Sequence, residues 1–349
     1  LASMRIFSSN CTQRTTHTLT HVRYLPTPFR SHGKGTMVSQ TIIATVGEIL
    51  VEFVSHETNC ALEKVADYSG PYPSGAPAIF LDQAALMGSK TEMVGGVGAD
   101  GFGRSVLRRL RQDSVGVKGV HVSEAFTTGV AFVSYYDNGE RDFIFHLSGT
   151  ASDAFEVPKT IFDPANTVLH VSASSLGAIE MRSKIMATIR MILDAGGRIT
   201  CDPNARPELM RDAGAREAMY EVMERSYCLL PSTSDLSFLF PDLTEDEAID
   251  HLFGFHAEVI ALKRGASGCT IIGYDQRYDF KGHDVRELDP TGAGDCFGGT
   301  FISLLTQGLS LYEAGRLANA AGAIAVTRRG PMEGNSTPSE ISAFLNNKH

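Results

Sequence analysis

Asp289-Pro290-Thr291-Gly292-Ala293-Gly294-Asp295, followed by Cys296-Phe297-Gly298-Gly299 and a strongly apolar stretch, decides how this chain reads. Gly292 and Gly294 let the backbone turn sharply into a helix predicted over Asp295 to Gln307. Successive amides at such a helix start, together with the helix dipole, make a place for negative charge. A carboxylate in the first turn has two explanations. It caps the helix, or it serves as a general base beside an anion hole, accepting a proton from a hydroxyl that attacks a phosphoryl group. Three small residues before Asp295 and a long helix after it favour the second role.

Outward from this motif, apolar runs alternate with amphipathic stretches. Ile42 to Phe53, Thr91 to Val97, Val168 to Ala173, Arg198 to Asp202, Cys228 to Leu230 and Val259 to Lys263 read as strands. Ala76 to Met87, Phe102 to Arg111, Ile179 to Leu193, Glu245 to Phe253 and Leu311 to Val326 read as helices. Continuous buried strands followed by amphipathic helices imply an α/β fold with a mostly parallel sheet covered on both faces. Gly129 to Tyr136 and Arg141 to His146 break that rhythm, alternating around the Asn-Gly turn signal at Asn138-Gly139. This ribbon is expected to project from the main sheet as a lid, with residues 65–72 adding a strand beside it. Arg141 and His146 are an odd number of positions apart, so only one faces the site. His146 is the expected one, because Arg141 adjoins the exposed turn.

A second glycine-rich loop, Gly96-Val97-Gly98-Ala99-Asp100-Gly101, matches the dinucleotide fingerprint, with Glu124 at the end of the next apolar run. Asp100 would set a carboxylate against a pyrophosphate, and no hydride-transfer machinery follows. A tight strand-to-helix turn is the better reading, and a nucleotide-dependent dehydrogenase the poorer one.

Composition narrows the class further. The 349 residues carry 31 basic and 40 acidic side chains, a net charge of −9, which argues against a nucleic-acid coat. No apolar run is long enough to span a membrane. The six cysteines are scattered without a CxxC pair, so a disulfide framework or zinc site is not expected. A cytoplasmic enzyme is the resulting expectation. Residues 1–36 hold Arg5, Arg14, Arg23, Arg30 and Lys34 and no acid, and they end just before Met37. They read as a disordered leader or an extension upstream of a start at Met37, with the domain itself covering 37–349.

Taken in order, these motifs resemble the ribokinase-like (PfkB) carbohydrate kinases. Asp289 to Phe301 resembles the family's C-terminal signature, and Gly47-Glu48 its opening strand. Ser74-Gly75-Ala76-Pro77-Ala78 resembles its sugar-site glycine motif, and Val94 to Gly103 its V-G-x-V-G-x-D-x-F-G segment. Asp202-Pro203-Asn204-Ala205-Arg206-Pro207 resembles the D-P-N-x-R-P element of fructokinase-like and 2-keto-3-deoxygluconate kinase-like members. The resemblance spans residues 40–346 and implies a three-layer α/β sandwich with a β-sheet lid.

Its implied chemistry is transfer of the γ-phosphoryl group of ATP to a primary hydroxyl of a ketose, tagatose or fructose, with Mg2+ and a monovalent cation such as K+. A 2-keto-3-deoxygluconate kinase, a nucleoside kinase and a non-catalytic sugar sensor remain alternatives. By this resemblance Asp295 is the base, and the amides of Gly292, Ala293 and Gly294 form the anion hole. Lys263, Arg264, Gly265 and Asn319 fall on the nucleotide side. Glu52, Gly75, Ala76, Asp202, Asn204 and Arg206 fall on the sugar side, joined by His146 from the lid. Asp235 is the expected metal contact, and the apolar lid suggests a homodimer.

Three positions and one element depart from the family pattern. Ile79 stands for an Asn that usually bonds a sugar hydroxyl, Glu52 for an Asp, and Thr300 for a smaller residue. Ser232-Thr233-Ser234-Asp235 stands for the family's N-x-x-E element. Altered sugar recognition follows from these changes more readily than loss of phosphoryl transfer.

Overall fold

The apolar run from Ile42 to Phe53 reads as one strand, yet the computed structural model, which describes residues 41–137, 141–205 and 212–347, divides it between two sheets. Strand β1 (Ile42–Val46) lies in the large sheet, and β2 (Leu50–Ser55) passes into a small one. The break falls at Gly47-Glu48-Ile49, where the Gly47 amide still bonds the Val94 carbonyl at 3.1 Å before the chain leaves. Ile49 and Leu50 stay buried on both sides of the break. Hydrophobicity therefore carries no mark of it.

The remaining strands are β3 (Tyr68–Ser74), β4 (Lys90–Gly98), β5 (Gly116–Ser123), β6 (Gly129–Tyr135), β7 (Arg141–His146), β8 (Thr167–Ser172) and β9 (Arg198–Asp202). They continue with β10 (Cys228–Leu229), β11 (Val259–Lys263), β12 (Gly268–Gly273) and β13 (Arg277–Lys281). The large sheet has the order β13-β12-β11-β10-β9-β8-β1-β4-β5. It is parallel from β5 to β11 and antiparallel at the β11-β12-β13 edge.

Alternation along these strands builds the three layers. Ile43, Met93, Val168 and Ala261 point into one core with the helices Ala76–Leu86, Ala293–Thr306 and Leu311–Ala325. Their neighbours Ala44, Val94, Leu169 and Ile260 point into the other, with Ile179–Asp194 and Ala213–Glu224. Both faces are buried, as the uninterrupted apolar runs require. Among the described residues, no helix is long and apolar enough to cross a membrane.

The small sheet has the order β3-β2-β6-β7. The expected ribbon is present as the antiparallel pair β6-β7, with Val130 opposite His146 and Tyr135 opposite Arg141. Its turn at 138–140 lies outside the described residues, as do residues 1–40 and the expected leader. The sheet is larger than the sequence suggests, because β2 joins β6 in parallel.

Gly96 to Gly101 is a structural turn. Asp100 caps the helix Gly101–Gln112 by accepting from the Gly103 amide at 2.8 Å. It also accepts from the amide and hydroxyl of Thr128, both at 2.8 Å. Burial raises its pKa but these bonds outweigh it, and the net shift is downward. A carboxylate held charged in this way repels a pyrophosphate, which removes the basis for a dinucleotide site.

Candidate active site

Gly292 caps the helix Ala293–Thr306 with a left-handed φ of 79°, and a Cβ there would lie 2.2 Å from the Pro331 carbonyl oxygen. Only glycine makes this turn. The first amides of the helix have no acceptor within it. That of Ala293 reaches the Pro290 carbonyl at a long 3.4 Å. Ile79, buried in the core, packs beneath the turn and would sit 3.3 Å from the same Cβ. An apolar side chain thus stands where the family resemblance leads one to expect an amide.

Asp295, half-buried in the first turn, lines a cleft of about 360 Å3 together with Gly292, Ala293 and Gly294. Lys263, at the end of β11, enters the same cleft, and its ammonium pairs with Asp202 at the end of β9. The ammonium lies 3.4 Å from where a Cβ of Gly294 would be, which puts it against the Gly292–Gly294 turn. Burial alone would lower the lysine pKa, but the charges of Asp202 and Asp235 and the hydrogen bond to Asp202 raise it. Lys263 is therefore a fixed cation beside Asp295.

Gly265 and Asn319 also line the cleft, and the Asn319 amide donates to the Lys281 carbonyl at 2.9 Å. Arg264 does not line it. Its guanidinium donates to both oxygens of Glu245, at 2.5 and 2.7 Å, and to Thr270 at 3.0 Å. Alternate residues of a strand end point to opposite sides, so Lys263 and Arg264 could not both serve the cleft. Asn204 lines it with its amide donating to Asp202 at 3.0 Å, whereas Arg206 lies outside the described residues.

Asp235 lines the cleft, but as a cap. It accepts from the Ala205 amide at 2.8 Å through Oδ1, and from the Ser232 amide and hydroxyl at 2.7 and 2.6 Å through Oδ2. With Ser232 it forms the capping box of the helix Thr233–Leu239. A direct metal contact would have to displace these bonds. Among the described residues no cluster of three His, Cys, Asp or Glu side chains could hold a metal ion.

On the lid side, Glu52 is 3% exposed and accepts from the Ser74 hydroxyl at 3.2 Å. Gly75, at φ 107°, caps the helix that begins at Ala76. These three residues border the lid but do not line the cleft. Glu52, Ala131 and Phe145 lie opposite one another across β2, β6 and β7. Counting by twos from there puts Tyr135, Phe143 and Arg141 on the same face and His146 on the other. Arg141 lines the cleft, and exposed His146 does not. The expectation of His146 is corrected to Arg141: parity was sound, but which parity faced inward depended on β2, assigned above to the large sheet.

Tyr135 is a site residue that sequence reasoning missed. Its hydroxyl donates to the buried Asp289 carboxylate and lies 2.6 Å from Thr291 Oγ1. Asp289 also accepts from the Thr291 amide at 3.0 Å and the Gly330 amide at 2.9 Å. Nothing in the residue pattern marks a tyrosine in an apolar lid strand as a partner of a turn so far along the chain.

Glu48, at the break between the sheets, accepts from the Ser175 hydroxyl at 2.5 Å, and burial pushes its pKa up to about 7. The folded state then holds a proton that the unfolded chain releases near pH 4.5. Stability is expected to fall as pH rises from about 4.5 to about 7 and to level off above that. Glu48→Gln removes the step, so urea midpoints for the variant at pH 5 and pH 8 should differ less than those of the wild type. An unchanged difference would assign the step elsewhere.

Comparison with known proteins agrees with this architecture. Residues 40–338 match the family described as pfkB family carbohydrate kinase. A fructokinase of Salmonella typhimurium is 31% identical over 278 residues, covering 74% of this chain and 87% of the relative. Fructokinase-1 of Oryza sativa subsp. japonica is 29% identical over 315 residues, covering 87% and 96%. Among solved structures, an E. coli ribokinase II candidate in complex with ATP and Mg2+ superimposes with a TM-score of 0.81 at 35% identity, covering 88% of this chain and 99% of that one. The match runs through both sheets and through the Asp295 helix, and the chain belongs to the pfkB family of carbohydrate kinases.

Proposed function

We propose that this kinase transfers the γ-phosphoryl group of ATP to a primary hydroxyl of a ketose, with fructose ahead of tagatose. The observation that carries the reaction type is Asp295 in the first turn of a glycine-capped helix, sharing one cleft with the buried cation Lys263. The sugar class is supported by the fructokinases among its relatives.

Asp295 accepts the proton of the attacking hydroxyl as the new oxygen–phosphorus bond forms and the bond to the β,γ-bridging oxygen breaks. The turn at Gly292 to Gly294 suits a phosphate, since a Cβ at Gly292 would close it. Lys263 adds positive charge there. Mg2+ would be carried by the nucleotide phosphates and water, because the Asp235 oxygens are committed to their cap. Glu52 and Asn204 are the sugar contacts this reading assigns, and Gly265 and Asn319 the nucleotide contacts.

A coupled ATPase screen tests the proposal across fructose, tagatose, aldoses, 2-keto-3-deoxygluconate and nucleosides, with and without K+. Fructose or tagatose should give the highest kcat/KM. A preference for 2-keto-3-deoxygluconate or for a nucleoside would replace the ketose assignment, and sugar binding without turnover would make the protein a sensor.

We assign the kinase to residues 37–349 and place it in the cytoplasm, a setting supported by the five described cysteines, all free and buried. A chain starting at Met37 is expected to keep the full melting temperature and turnover, and a loss of either would give residues 1–36 a part in the fold or site. A homodimer through the lid sheet is part of this reading, with Ile144, 44% exposed, on the outer face it would use. Sedimentation of the wild type against Ile144→Lys checks this.

A further inference from the structure

Tyr135 and Arg141 are directly opposed across β6 and β7, on the lid face that also carries Glu52. One of them touches the anion-hole turn and the other lines the cleft. Buried tyrosine hydroxyls take a partner, and this one takes two at the single turn that leads into Gly292. The bond to Asp289 carries charge and is among the stronger kinds. Asp289 is at the same time fixed by the amides of Thr291 and Gly330, the latter next to Pro331, whose carbonyl closes over Gly292. The lid is thus pinned to the element that shapes the anion hole, at the residue whose cross-strand neighbour is a guanidinium.

The second fact is the charge inventory of the cleft. Lys263 is committed to Asp202, and four carboxylates (Asp202, Asp235, Glu287 and Asp295) line the same cleft. A phosphoryl group entering it meets more negative than positive charge unless another cation is brought in. Arg141 also lines the cleft, carried there by the lid strand β7.

We infer that Tyr135 is a positioning residue: it latches the lid to the Asp289–Thr291 turn and so registers Arg141 over the phosphoryl group in transfer, coupling closure to charge stabilisation. This rests on the reading as an ATP-dependent sugar kinase. Arg141 is then a catalytic residue of that reaction, and Tyr135 acts through it.

A double-mutant cycle tests the coupling. Arg141→Gln should lower kcat on fructose by about 10²-fold, the scale of losing one donor to developing charge. Tyr135→Phe, which removes only the hydroxyl, should lower kcat roughly tenfold, the scale of one hydrogen bond to a charged group. Its ATP KM should stay near the wild-type value while sugar-independent ATP hydrolysis rises. If Tyr135 acts through Arg141, the double variant is no slower than Arg141→Gln. Losses that multiply would overturn the inference.

Hydrogen exchange supplies a readout that needs no turnover. Tyr135→Phe should lose protection along Gly129–Tyr135 and at the Thr291 amide, while β8 and β9 keep theirs. Unchanged protection in the lid overturns the latch even if the wild type proves to phosphorylate no sugar in the screen. That second result would fault the functional assignment alone.

Discussion

Asp295→Asn should lower turnover by about 10²- to 10⁴-fold, the usual contribution of a positioned general base. The amide keeps the size and most of the hydrogen bonding of the carboxylate, so the helix Ala293–Thr306 and its Gly292 turn should survive. Asparagine cannot take the proton, and the attacking hydroxyl must then lose it to solvent from within a cleft. Sugar and ATP dissociation constants, measured by calorimetry, should remain near wild-type values. The split between lost kcat and kept binding is the informative part, since a capping role predicts the reverse: a modest change in stability and near-normal turnover. Wild-type turnover in Asp295→Asn would reduce the residue to a cap.

Lys263→Met should be the most destabilising of the single changes discussed. It deletes the partner of Asp202, whose side chain is almost fully buried. Breaking a buried ion pair from one side typically costs about 3–5 kcal/mol, because the remaining charge has neither water nor counter-ion. Asp202→Asn added to the same chain should recover most of that loss in urea denaturation, even though both charges are then gone. If the single variant is as stable as the wild type, the pair contributes nothing to the fold. If the double variant recovers nothing, the cost comes from packing around the lysine stem. Turnover should stay low in both, since neither restores a cation beside the Gly292–Gly294 turn.

Much of this was legible from residues alone, for reasons that also explain the gaps. Strands buried on both faces advertise themselves, because every position must be apolar, and β1, β4, β8, β9, β10 and β11 were found that way. The same property hid the break at Gly47-Glu48-Ile49, where the chain leaves one buried sheet for another without passing through solvent. The antiparallel edge strands β12 and β13 were missed, as was the helix Ala213–Glu224. The helix covers, and the two strands extend, a sheet already specified by stronger signals.

At the site, the glycine turn and Asp295 were readable because their chemistry is local: helix start, missing Cβ and carboxylate lie within four residues. Arg141 against His146 was not, since strand parity gives relative and never absolute sidedness. Asp235 shows the opposite failure. Its Ser-x-x-Asp spacing is a plain capping signal, and the resemblance to a metal-organising element drew attention away from it.

The parallel pairing of β2 with β6 has a kinetic consequence. A lid built only from the β6-β7 hairpin could zip up locally, but Leu50 must find Gly129 across β3, two intervening helices and the large-sheet strands β4 and β5. Contacts so distant in sequence carry a loop-closure cost that is met only once the intervening chain is already ordered. The lid should therefore close only after the β4-β5 unit lying between its strands is ordered. A newly made chain would pass through a stage with that part of the large sheet in place and its cleft still uncovered.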